Sequence, residues 1–253
     1  MTSVRMRTLL FVIVFVCLVA AGGGAPAVAA EPENHDPIEP FNRAMFWFNE
    51  QVDGYVLEPA AKGWRWIMPN RVQRSVSNFF QNLRFPIVTV NDLLQAKLRK
   101  SATDVGRFAV NTTVGVLGFF DPASDWGLDQ NNEDFGQTLG FWGLPPGPYL
   151  VLPFFGPSDP RDAVGLAVDS FSTVYPFFVA IEYTIGARAV DVVNGRAQVI
   201  DQIRDIKEAS VDYYTAVRNA YRQRRKVLVN DGAEMSEQEQ EDLYNVEPNG
   251  GEK

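Results

Sequence analysis

Residues 41–55 read FNRAMFWFNEQVDGY, and at about 100° per residue their apolar positions separate into two sets. Phe41, Ala44, Met45, Phe48, Val52 and Tyr55 share one face, which predicts a helix packed inward along that side. Phe46 and Trp47 fall on the far side, beside Arg43 and Glu50, where a helix in water carries polar groups. Two large rings in that position are expected to face an apolar surrounding, as the acyl region of a bilayer is.

The same periodicity predicts further helices at 59–67, 71–83, 88–98, 102–113, 160–171, 176–201 and 206–229. Ser101 followed by Asp104 resembles the opening of a capping box, and Pro69-Asn70 and Pro122 mark breaks. Residues 114–160 differ in texture, being dense in Gly, Pro and aromatics. A short extended piece is expected at 149–155, with Pro153 excluding a central strand. Two readings stand for this stretch: ordered loops or a hairpin with a job, or a plain cover over one side of the core.

A second wheel concerns YPFFVAIEYTIGARAVDVVNG. Apart from Glu182 it is apolar nearly all round, yet Thr184, Arg188, Asp191 and Gly195 lie within about 60° of one another. A narrow polar stripe on an apolar rod suits a helix with lipid or core on most sides; a buried helix exposing one edge gives the same pattern. After the leader described next, no apolar run reaches the 18 residues or more of a spanning helix, so residence in one leaflet is expected. Trp64, Trp66, Phe79, Phe80, Phe177 and Phe178 supply further interfacial rings.

Arg5 and Arg7 precede an apolar run and a small-residue stretch ending at Ala30, the layout of a secretory signal. The expected organisation is a signal peptide at 1–29, cleaved after Ala29 or Ala30, a domain at 36–230 and a disordered acidic tail at 231–253. Cys17, the single cysteine, lies in the leader behind Phe15 and Val16 rather than small residues, which argues against its acylation. A disulfide framework, a thiol nucleophile and cysteine-ligated metal are thereby excluded from the mature chain. Taking the two leader arginines from 23 basic residues leaves 21 against 31 acidic ones, a formal charge of −10 that does not invite nucleic acid. Arg218, Arg222, Arg224, Arg225 and Lys226 form a basic cluster, open to two readings: anionic headgroups, or a solvated face complementing a helix C-terminus.

Candidate chemistry is thin. Gly156-Pro157-Ser158-Asp159-Pro160 lacks the closing glycine of a nucleophile elbow, and the single histidine, His35, lies near the expected new N-terminus. DQNNEDFG at 129–136 alternates polar residues as a calcium loop does. Asp134 stands where that loop needs glycine, and Gly140 where it needs glutamate, so a solvated polar loop is expected. Asn111-Thr112-Thr113 matches a glycosylation acceptor, a common coincidence, and no phosphate loop is present. No catalytic residue, metal or cofactor is expected.

DPIEPFNRAMFWFNEQVD, NTTVGVLGFFDPA, EDFGQTLGFWGLPPGPYLVLPFFGPSDPRD and GRAQVIDQ, in this order and spacing, resemble the blocks of the MlaA (VacJ) phospholipid-binding proteins of Gram-negative outer membranes. The resemblance implies a mainly α fold: a ring-like bundle of amphipathic helices with a Gly/Pro/aromatic-rich loop or hairpin region, monotopic in the periplasmic leaflet of the outer membrane around a central channel. It also implies that the protein is not an enzyme. It would take phospholipids that have strayed into the outer leaflet and pass them to a soluble periplasmic lipid carrier, in association with a trimeric porin. On this resemblance Thr184, Arg188 and Asp191 line the channel, Gly143 and Gly147 bound a flexible hairpin, and Phe41 and Asn42 belong to an early helix motif. Two features depart from the family: the leader lacks a lipobox, and Pro145 and Pro146 stiffen the hairpin. A porin-associated structural adaptor and a lipid hydrolase are the competing functions.

Overall fold

The computed structural model describes residues 36–172 and 181–231. The expected signal peptide, Phe177, Phe178, the start of the 176–201 helix and the tail beyond Asp231 lie outside the described residues.

The fold is mainly helical. A first rod is built from α1 (Glu39–Val52), a π turn (Asp53–Leu57) and α2 (Glu58–Ile67). The break expected between residues 55 and 59 is therefore a widened turn rather than an end. Proline in a helix removes one N–H and its ring crowds the carbonyl four residues back. The π turn lies just ahead of Pro59, and the Glu58 N–H donates to the Asp53 carbonyl, five residues back. Then follow α3 (Asn70–Leu83), α4 (Phe85–Leu94) and α5 (Leu98–Thr113). The middle carries α6 (Pro122–Asp125), α7 (Phe135–Phe141) and an antiparallel hairpin of β1 (Leu150–Leu152) and β2 (Gly156–Ser158), with Leu150 opposite Ser158. The chain continues through α8 (Pro160–Ser172), α9 (Ile181–Gln198), α10 (Ile200–Ala209) and α11 (Tyr213–Val229). The single helix expected at 206–229 is thus broken, at Ser210, and Asp212 restarts it by accepting from the Tyr214 and Thr215 N–H groups.

Element contacts run in a closed circuit: α1 to the π turn, α2, α9, α3, α4, α7, α11, the hairpin, and back to α1. The tightest crossing is between α7 and α8. A Cβ on Gly165 would come 2.3 Å from the Gly136 nitrogen, so backbone meets backbone there.

The burial pattern inverts that of a water-soluble domain. Buried polar and charged side chains outnumber buried apolar ones among the described residues, while large apolar side chains from nearly every helix are exposed. No described helix is long and apolar enough to cross a membrane.

On α1 the inversion corrects the sequence reading. Phe41 and Tyr55, assigned to the inward face, are 50% and 80% exposed, whereas Asn42 is 0% exposed. Met45 and Phe46 pack against the cluster of Tyr149, Val151 and Tyr214, and the Phe46 ring lies 5.4 Å from both Tyr213 and Tyr214. Phe46 therefore faces protein, and Trp47 alone of the pair faces out, 64% exposed. The helix is turned by about 90° from the hydrophobic wheel because its inner face is centred on Asn42 and Asn49. Apolar periodicity counts both as solvent-facing.

Candidate functional site

Asn42 and Asn49, two turns apart on α1, treat β1 as a neighbouring strand would. Asn42 Nδ2 donates to the Tyr149 carbonyl at 2.8 Å and its Oδ1 accepts from the Val151 N–H at 2.9 Å. Asn49 repeats the pair with the Leu152 carbonyl at 2.9 Å and the Phe154 N–H at 2.7 Å. An amide side chain carries the same donor and acceptor as a peptide unit, so Asn42 extends the hairpin's ladder by one rung and Asn49 holds the turn that follows β1. Asn42 also donates to Asp36, whose other oxygen accepts from the Tyr214 hydroxyl. The early-helix residue thus has a structural role, while Phe41 beside it is exposed.

Thr184, Arg188 and Asp191 all lie on α9. Arg188 reaches Asp191 at 3.3 Å, and burial raises the Asp191 carboxyl above its ordinary range against the pull of Arg188 and of Arg84. Arg188 stays largely exposed and Thr184 half-buried. Further along, the same helix docks by polar groups: Asn194, fully buried, accepts from Trp64 Nε1 at 3.0 Å and donates to the Gln73 carbonyl and Ser77 hydroxyl. Arg196 forks onto Asp53 in the π turn at 2.7 and 2.9 Å. Tyr183, Ile185, Val190 and Val192 are exposed along this helix.

Gly143 and Gly147 both occupy left-handed backbone, φ +88° and +77°. No Cβ clash occurs at Gly143, whereas a Cβ on Gly147 would meet the Pro160 ring at 3.3 Å. The stretch between them is a turn leading into β1. The paired hairpin is the next segment, 150–158, and its tip presents Phe154 and Phe155.

Behind this turn, α7 sits in a cage of charge. Asp134 caps it by accepting from the Gln137 N–H at 2.8 Å and receives a fork from Arg225 at 2.7 and 3.0 Å. Burial pushes the Asp134 carboxyl up, but Arg225 and Gln137 outweigh it and hold it below the usual range. Arg225 also donates to Asp162 at 2.7 Å, and the Tyr221 hydroxyl donates to Asp162 at 2.6 Å. Burial and the neighbouring Asp162 raise Asp159 to about 6, and burial raises Asp169, which accepts from the Phe135 N–H, to about 6.

Three expectations are corrected here. The 129–136 stretch is not a solvated loop: Glu133 is buried and receives Gln95 at 3.0 Å and Lys97 at 3.1 Å, while Asn131 donates to both Asp92 oxygens at 2.9 Å. The basic cluster is neither a headgroup patch nor a solvated face as a whole, because Arg218 is buried beside Asp36 and Arg225 is locked in the cage. Ser101 is no helix cap, since α5 starts at Leu98 and both Ser101 and Asp104 are buried within it. Among the described residues, no group of three or more His, Cys, Asp or Glu side chains is placed to hold a metal ion.

These features define a class: a mainly helical protein with a hydrogen-bonded polar interior and many large apolar side chains on its exterior. The family model described as MlaA lipoprotein matches residues 34–228. The intermembrane phospholipid transport system lipoprotein MlaA of Haemophilus influenzae is 36% identical over 206 residues, 79% of this chain and 81% of its own. That of Escherichia coli is 35% identical over 225 residues, 84% and 88% of the two chains. A structure solved in work on the structural basis for maintenance of bacterial outer membrane lipid asymmetry superposes with a TM-score of 0.69 at 34% identity, covering 78% of this chain and all of that one. The chain belongs to the MlaA family.

Proposed function

We propose that this protein moves phospholipids between membranes and so maintains the lipid asymmetry of an outer membrane. The observation that carries the reading is the inverted burial: polar groups paired inside, aromatic and aliphatic groups outside. In water an exposed surface of that kind is a liability, while in a bilayer each polar group must find its partner within the protein. The protein lies in the periplasmic leaflet, held by Trp47, Tyr55, Trp66 and the other exposed rings rather than by a spanning helix. With Phe15 and Val16 ahead of Cys17, this surface takes the place of an acyl anchor.

Lipid passes without covalent change. Headgroups track Thr184, Arg188 and Asp191, acyl chains follow the apolar flank of α9, and Gly143 and Gly147 let the turn beside α7 move. The chain carries no nucleotide motif, so a soluble periplasmic carrier sets direction by taking the lipid away, with a trimeric porin as the neighbour in the membrane. Arg188→Glu tests the track: outer-leaflet phospholipid should accumulate in cells while the purified variant unfolds at the wild-type temperature. Unchanged accumulation removes the stripe from the path. Mass spectrometry of lipid extracted from the purified protein separates the rival functions, since intact phospholipid supports transport, lyso-lipid supports hydrolysis, and no lipid supports an adaptor.

A further inference from the structure

The α9 stripe is not the one polar surface beside apolar groups. Between α3 and α5 lies a cleft of about 50 Å³, walled by Asn78 and Asn82 from α3, Phe85 and Phe108, and floored by Asp104 and Arg107 of α5. Phe85 and Phe108 stack at 4.3 Å. Asn82 bonds to Thr112 at 3.0 Å and touches the turn at Gly118, whose neighbours Val116, Leu117 and Phe120 are exposed. The cleft therefore joins a polar floor to an aromatic wall and an apolar shelf, the layout that an amphipathic molecule requires.

Its charge favours a cation. Arg107 is already paired: its Nη2 reaches both Asp121 oxygens at 2.9 and 2.9 Å, and its Nη1 donates to Ser124 at 3.0 Å and to the Leu128 carbonyl. Among the described residues no cation is paired with Asp104. It lines the cleft, receives Asn131 at 3.4 Å, and hydrogen-bonds to Asp92 behind it. Burial, with Asp104 next to it, raises the Asp92 carboxyl to about 8, the sign of one negative charge too many in a dry place. The side chains of Asn78, Gln81 and Gln130 line the cleft with no hydrogen-bond partner among the described residues.

Resting on the phospholipid-transport reading, we infer that the α3–α5 cleft is a subsite for a primary ammonium headgroup, that of an ethanolamine phospholipid, with the ammonium on Asp104 and the amides around it. The cleft has room for a few water-sized groups, which matches an ammonium and two methylenes. A trimethylammonium group is wider and has no N–H to give to Asp104 or to the amide oxygens. An anionic headgroup would meet the Asp104 carboxylate, while the Arg107 charge is already paired with Asp121.

The test is calorimetric titration of the full-length protein in detergent with dihexanoyl-phosphatidylethanolamine, dihexanoyl-phosphatidylcholine and ethylammonium chloride. The ethanolamine lipid should bind at least about tenfold tighter than the choline lipid, a charge-assisted hydrogen bond's worth of preference. Asp104→Asn should bring the ratio of the two affinities close to one. Asn78→Leu, on the half-exposed wall and with its side chain outside every hydrogen bond among the described residues, should lower the same ratio, so the question stays open to test if the first variant does not fold. Lipids that bind without headgroup preference overturn the subsite and leave the transport reading standing. A protein that binds neither lipid overturns both. Ethylammonium binding as tightly as the ethanolamine lipid overturns the headgroup assignment in favour of a free ammonium ion.

Discussion

In α7, residues 135–139 are all buried, and the groups around them are carboxylates, an arginine, amides and a tyrosine hydroxyl. In α9, Tyr183, Ile185, Val190 and Val192 face out, and polar groups hold the helix to its neighbours along one line. Each helix reverses what aqueous folding asks for, in complementary ways. The cage around α7 gains its strength from being dry, because ion pairs and hydrogen bonds are worth more away from water. The flank of α9 is stable where it meets apolar company. One region is kept dry by the protein around it, and the other exposes apolar groups to the surroundings.

The largest expected effect breaks the first region. Arg225→Met removes the cation shared by Asp134 and Asp162 and, since Arg161 stays on Asp162, leaves Asp134 without its partner, which should cost roughly 3–5 kcal/mol in denaturant unfolding. A loss below about 1 kcal/mol would show that the cage does not hold α11 to α7. Next is Asn42→Leu, which orphans the Tyr149 carbonyl and the Val151 N–H; roughly 2–4 kcal/mol should be lost by the same measurement. Asn49→Leu, nearer the solvent side, should lose less.

The outer region should respond in another observable. Trp66→Ser removes a ring that is 87% exposed, so stability in detergent should move by no more than about 0.5 kcal/mol. Flotation with phospholipid vesicles should weaken by roughly 1.5–3 kcal/mol of binding. Unchanged flotation would take Trp66 off the lipid surface.

The smallest effect is one of slope. Asp92, raised to about 8 by burial and by Asp104, keeps its proton in the fold at a pH where the unfolded chain has released it. Its contribution to stability is therefore full in acid, falls as pH rises from the ordinary carboxylate range, and levels off above about pH 8. Asp159 and Asp169, both raised to about 6, add the same sign of slope at lower pH. Asp92→Asn should flatten the decline between about pH 6 and 8 in unfolding midpoints.

Helical content was legible in the periodicity, and the family in four ordered blocks of sequence. Which way α1 faces was not. Hydrophobic patterning assumes that apolar groups mark the interior, and on α1 the residues that mark it are Asn42 and Asn49, spaced by two helical turns. That spacing was visible in the sequence and would have found the clamp had amides been counted as interior. The pairing of Asp92 with Asp104 and Asn131, and of Asp53 with Arg196, joins residues far apart in the chain, and no local pattern carries it. The break at Ser210 was missed for a simpler reason: apolar spacing continues across it, and only the capping reach of Asp212 ends one helix and begins the next.

The two asparagines of α1 have a consequence for how the protein avoids sticking to itself. Residues 149–152, YLVL, ahead of Pro153, are uncharged and apolar, and a free strand edge of that kind can pair with copies of itself. β1 belongs to a two-stranded sheet and so has one open edge. Asn42 occupies that edge with its side-chain amide and Asn49 holds the turn that follows, both from a helix that cannot itself be extended by another strand. The clamp thereby closes a template for aggregation.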